Sequence, residues 1–134
     1  MDFSKGMYIS AAGMRAQSMR MRVIAENIAN QNSTASEGGE PYRRKLVNFM
    51  NILDRELGVN VVEVKNVTFD QAAFGRKFDP GHPMADGQGY IATTNVKGMV
   101  ETMDMKDAQR TYQANVSAIE ASKKMMLQTI ELLK

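Results

Sequence analysis

Lys5 to Gln31 reads KGMYISAAGMRAQSMRMRVIAENIANQ, and the spacing of its apolar residues decides the fold. Met7, Met14, Met21 and Ile28 stand seven apart, with Ala11, Ser18 and Ala25 four residues after the first three. A repeat of that kind is the seam of two helices packed with a left-handed twist, and small residues beside the methionines let the partner approach closely. Ile24 widens the stripe. At about 1.5 Å per residue this helix runs roughly 40 Å, longer than a small domain needs.

The other end of the chain repeats the pattern. Met105, Tyr112, Ile119, Met126 and Leu133 recur every seven residues, Ala108, Asn115, Ser122 and Thr129 supply smaller neighbours, and Val116 and Ile130 extend the apolar face. A helix starting near Val96 reaches roughly 55 Å, so it outruns the first one and part of its stripe needs another partner. Met99 and Met103 fall off the register and mark where that partner changes.

All three prolines (Pro41, Pro80, Pro83) and most glycines lie between Gly38 and Gly98. Breakers confined to the middle leave both ends free to be continuous helices. Leu46–Met50, Val59–Val64 and Tyr90–Ala92 read as short strands, with turns at Asp79–Pro83 and Asp86–Gly89 and a loop over 31–40. The expected architecture is mainly α with a small β module: an N-terminal core helix over 1–31, a small β-rich middle domain over 32–95, and a C-terminal core helix over 96–134. The two long helices pack as an antiparallel coiled-coil core.

Composition narrows the function. The 134 residues carry 17 Lys and Arg against 15 Asp and Glu, and the basic residues cluster only at Arg43, Arg44 and Lys45, so there is no footprint for nucleic acid. With no cysteine there is no disulfide scaffold, thiolate metal site or cysteine nucleophile. The N-terminal run is broken by Arg15, Arg20 and Arg22, unlike a signal peptide, and no apolar run approaches the length needed to span a bilayer. His82, the single histidine, sits in a proline turn near Asp79 and Asp86, the ordinary setting of a solvated histidine. Gly87-Gln88-Gly89 lacks the strand and helix that a phosphate cradle requires and reads as a turn. Glu101, Asp104 and Asp107 stand at helical spacing, but without histidine or a pocket they read as acidic residues favoured near a helix N-terminus. No catalytic, cofactor-binding or metal-binding residue emerges, and no small-molecule substrate.

A methionine stripe is usually the buried face of a helix in its own domain. Here the helices hold about half the chain, the middle offers little surface to bury them both, and methionine continues off the stripe at Met19, Met99, Met103 and Met125. The surplus points to neighbouring chains, and adaptable thioether side chains suit such contacts.

Ile9 to Gln17 (ISAAGMRAQ), continuing through Arg20 to Asn30 (RMRVIAENIAN), resembles the N-terminal signature of bacterial flagellar rod and hook proteins. Pro41–Lys45, Asp79–Asp86 with Gly89-Tyr90, and Tyr112–Val116 resemble the proximal-rod branch of that family, in the right order over most of the chain. The resemblance implies a structural subunit of the proximal rod of the basal body, which carries torque from the membrane ring to the distal rod and hook. Its implied partners are copies of itself, other rod subunits, membrane-ring and rod-adaptor proteins and, in transit, the flagellar type III export apparatus. It further implies a periplasmic location in a Gram-negative cell, reached without a cleaved signal peptide. Asn27, Asn30 and the Tyr112–Asn115 stretch carry over as packing and helix-end positions. The chain departs from the pattern at Thr94, where relatives often have proline before the Asn-Val. Two rival readings stay open on the residues alone: a cytoplasmic coiled-coil adaptor or export chaperone, and an enzyme using His82 with Asp79 or Asp86.

Overall fold

A computed structural model describes residues 3–35 and 39–132. The N-terminal pattern folds as α1, Phe3–Ala29, and the C-terminal one as α2, Gly98–Leu132. Neither contains proline, and Ala, Met, Arg, Lys, Glu and Gln, all low in helical cost, dominate both. At the end of α1 the Asn30 amide donates to the Glu26 carbonyl at 2.8 Å and the Ser33 hydroxyl donates to the Asn30 carbonyl at 2.8 Å, satisfying carbonyls that the last turn leaves open. α2 opens with the Glu101 N–H on the Lys97 carbonyl, just behind a turn in which Val96 N–H donates to the Thr94 hydroxyl. α2 thus begins two residues after Val96.

The helices run antiparallel along their length. Gly6 lies against Ser122, Gly13 against Asn115, and Gly98 against Gln31, so residues of the two helices meet in pairs whose numbers sum to about 128. On that register α1 is used up opposite Met125. With 35 residues against 27, α2 continues past the start of α1 by its last two turns.

The middle of the chain forms two separate two-stranded antiparallel sheets, not one. β1 (Lys45–Asp54) and β2 (Val59–Phe69) make a long hairpin, in register from Lys45↔Phe69 to Asp54↔Val59 with a bulge at Asn48/Phe49 that leaves Lys65 as the extra residue. Such a bulge sharpens the twist of a ribbon and lets it wrap a helix. The hairpin lies along α1, on a different face from α2: Asn27 holds Lys45 at one end of β1 and the Tyr8 hydroxyl donates to Asp54 at the other, 3.0 Å away. Both strands are longer than the sequence pattern suggested, and most of the hairpin is exposed, apolar Phe49, Met50, Leu53, Val62, Val67 and Phe69 included.

β3 (Gly75–Phe78) pairs with β4 (Tyr90–Thr93), joined by the proline turn. β3 was not foreseen: RKF is polar enough to read as loop, and its strand form comes from its partner. Asp86 organises the connection by accepting from the N–H groups of Gln88 and Tyr90 and from Arg76, which holds its carboxyl below the usual range. Gly89 sits at φ +81°, with Phe78 and Pro80 crowding the place of a Cβ, so only glycine fits there without strain.

Candidate assembly interface

The interior of α1 is not the stripe of seven-residue repeats. Its buried residues are Ala12, Ala16, Val23, Ile24 and Asn27. Ala12 and Ala16 face Val62 and Val64 of the hairpin, where small side chains allow strand and helix to approach. Gly6, Gly13 and Asn27 face α2. Met7, Met14, Met21 and Ile28 are each half-buried, and of the small residues beside them Ser18 and Ala25 are exposed. Met14 lines an open groove of about 330 Å³ between the helices, together with Ala11, Ser18, Tyr112 and Ile119.

On α2 the pattern is similar. Only Glu101 and Ala108 are buried, while Met105, Tyr112, Asn115, Val116, Ile119 and Met126 are half-buried and Ile130 is exposed. Leu133 lies outside the described residues. Met99 and Met103, off the seam, are 79% and 66% exposed. Of the described site residues read from the sequence, Ile24 and Asn27 belong to the closed interior, Asn30 caps α1, Ile130 is exposed near the end of α2, and the others lie half-buried along the helix pair.

The closed end of the pair is held by a polar cluster. Asn27, 1% exposed, uses every hydrogen-bonding position of its amide: Nδ2 donates to the Lys45 carbonyl and Glu101 Oε2, both at 2.9 Å, and Oδ1 accepts from the Tyr42 hydroxyl at 2.9 Å and Lys45 N–H at 3.0 Å. Glu101, 0% exposed, accepts Asn27 on one oxygen and Arg44 Nε on the other. Arg44 then reaches Asp104 at 3.2 Å and Asp70 at 3.5 Å. Burial lowers the Arg44 pKa, but the hydrogen bonds and charges of Glu101, Asp70 and Asp104 outweigh it and keep the guanidinium charged. The N–H of Ala72, with Arg44, holds Asp70 below the ordinary carboxylate range. Asn95 closes the circuit, accepting from Arg44 N–H at 2.7 Å and donating to the carbonyls of Asp70 and Ala72 at 3.2 Å.

This cluster explains the basic run and adds to the reading of the acidic one. Arg43 lies 4.2 Å above the Phe74 ring and donates to the Asp70 carbonyl, and Lys45 pairs with Glu26 at 2.9 Å, so all three cations are engaged within the chain. Glu101 stands in the first turn of α2, as read from the sequence, and is in addition a buried counter-ion. A lone Asn-Glu-Arg set spread over 74 residues leaves no local pattern to read. His82 accepts the Met84 N–H on Nδ1 at 3.1 Å, a turn-stabilising contact. Among the described residues no group of His, Asp and Glu is arranged to hold a metal ion, and no helix is long and apolar enough to cross a membrane.

Two terminal helices clasped antiparallel by a buried polar cluster, with a hairpin on one face and apolar residues left open on others, define a structural subunit made for packing against other chains. The family described as flagellar basal body rod FlgEFG protein C-terminal matches residues 88–132. Across almost the whole chain it is similar to flagellar basal-body rod protein FlgC of Agrobacterium fabrum, with 42% identity over 94% of this chain and 91% of the relative. It is similar also to the FlgC proteins of Bacillus subtilis, 34% identical over 94% and 95%, and Aquifex aeolicus, 37% identical over 100% and 99%. The chain belongs to the flagellar basal-body rod protein FlgC family, a family of non-enzymatic structural subunits of the rod.

Proposed function

We propose that this rod subunit belongs to the proximal rod, assembles there through its terminal helices, and carries torque from the membrane ring toward the distal rod and hook. The carrying observation is the unspent apolar surface of α2: Met99, Val100, Met103, Met125, Leu127, Ile130 and Leu132 are all exposed in the single chain. They form two clusters, 99–103 and 125–132, and a monomer with no partner leaves both in water. Torque needs many lateral contacts and no bond-making, and open helix faces supply them. The partners in this reading are copies of the chain, other rod subunits, and ring and rod-adaptor proteins. It travels unfolded through the type III export apparatus to the periplasmic part of the basal body, which no cleaved signal is needed to reach.

Deleting the gene in its native cell and imaging basal bodies by electron cryotomography tests this. The expected result is membrane rings without a rod or hook, restored by the intact gene. Complete rods in the deletion strain overturn the proposal.

A further inference from the structure

The last two turns of α2, residues 126–132, extend beyond Phe3, the start of α1 among the described residues, and Met126 and Ile130 continue the face that α1 covers higher up. Tyr112, Ile119 and Met126 recur every seven residues and are half-buried; Ile130, four residues beyond Met126 on the same helical face, is 49% exposed, and Leu127 at its edge is 52% exposed. The overhang is thus a helix-binding surface whose partner has run out.

A complementary surface exists elsewhere on the chain. The groove lined by Ala11, Met14, Ser18, Tyr112 and Ile119 is open on one side, walled by apolar and small residues, and has the exposed Arg15 at its rim. Glu131 is the single charged residue of the overhang. The two surfaces match in character, apolar to apolar and anion to cation, yet lie too far apart in one molecule to meet. Ser18 stands opposite about residue 110 of its own α2, so Leu127 is roughly 25 Å further along the helix.

We infer that the α2 overhang of one copy seats in the α1–α2 groove of the next copy, with Leu127 and Ile130 against Met14 and Tyr112 and Glu131 toward Arg15. This rests on the rod reading and adds the contact through which copies of this chain meet. The contact joins two different surfaces, so each copy retains a free groove at one end and a free overhang at the other. Such a heterologous contact propagates and does not close into a dimer.

The chain has no cysteine, so introduced pairs report without background. Two differently tagged copies, one Ser18→Cys and one Leu127→Cys, are expressed together in cells lacking the native gene, and purified basal bodies are oxidised. The expected product is a disulfide between the two tags, with a ladder of multimers from the S18C/L127C double variant and none from Lys65→Cys paired with Leu127→Cys. A disulfide needs Cα atoms within about 7 Å, which the intramolecular separation forbids. Basal bodies that contain both copies without the 18–127 link overturn the groove contact alone. Absence of the tagged chain without cysteine substitutions from purified basal bodies overturns the rod reading with it. If cysteine variants fail to incorporate, a photo-crosslinking residue at position 18 serves instead: an adduct to residues 126–132 of another copy supports the contact, and an adduct to a different protein overturns it.

Discussion

Asn27 Nδ2 donates to Glu101 Oε2 across 2.9 Å, and the two residues are the largest side chains fully withdrawn from solvent. One is near the end of α1 and the other in the first turn of α2, so the bond fixes the register of the helix pair. Removing one partner leaves the other desolvated and unpaired, which costs about 1–3 kcal/mol for a neutral group and more for a charge. Asn27→Ala is expected to lower stability by about 2–4 kcal/mol in urea titration, since it also strands Tyr42 and Lys45 N–H. Arg44→Ala should cost about 3–5 kcal/mol by leaving the Glu101 carboxylate without its cation. A double-mutant cycle between Asn27 and Glu101 should be non-additive.

Gly13 gives a second handle on the same interface. A Cβ there would stand 3.0 Å from the Asn115 amide nitrogen and 3.2 Å from its oxygen. Gly13→Leu should destabilise by about 1–3 kcal/mol through overpacking. Adding Asn115→Ala should recover part of that loss in the same denaturation assay.

The hairpin turn isolates a backbone effect. Gly58 has φ +63° with nothing within 4 Å of a Cβ, and its N–H closes the turn on the Asp54 carbonyl at 2.8 Å. Gly58→Ala therefore costs about 1 kcal/mol from conformation alone. Gly87, equally open but without positive φ, should accept alanine within about 0.5 kcal/mol.

The Tyr8–Asp54 bond ties stability to pH. The N–H of Leu57, the Tyr8 hydroxyl and the N–H of Glu56 depress the Asp54 pKa, and the hydrogen bond and charge of Asp54 raise that of Tyr8. A depressed carboxyl contributes stability above its unfolded value, about 3.9, which is lost as pH falls through the folded value. A raised phenol contributes below its unfolded value, about 10, and loses that contribution as pH rises through the folded value. Tyr8→Phe should raise the Asp54 pKa, read by carboxyl NMR titration, and flatten the alkaline limb of the stability profile.

Hydrogen exchange should divide α2. From Gly98 to Met125 it is supported by α1, whereas residues 127–132 are exposed and extend beyond the described start of α1, and short unsupported helix is marginal in water. In a monomer the amides of 126–132 should exchange well ahead of those around Ala108, and in assembled rods the difference should vanish.

Much of this fold was legible because helix and turn signals are local. Uninterrupted apolar periodicity at the ends, prolines confined to the middle, and the greater length of the second helix are properties of neighbouring residues, and they led to an antiparallel pair with α2 outrunning α1. Strand β3 escaped because four residues acquire strand form only from a partner. The repeat of Met7, Met14, Met21 and Ile28 announced an apolar face but not its occupant: α2 and the hairpin took the faces bearing Gly13, Ala12 and Ala16, where backbones approach most closely, and left the methionines half open. Glu101 was legible as an acidic residue near a helix N-terminus but not as a buried one, since burial and a cation 57 residues away are facts of tertiary structure. Periodicity determines that a helix has an apolar side, through the geometry of 3.6 residues per turn. Which surface covers that side is a contest among segments distant in sequence, decided by shape and by the need of each buried polar group for a partner.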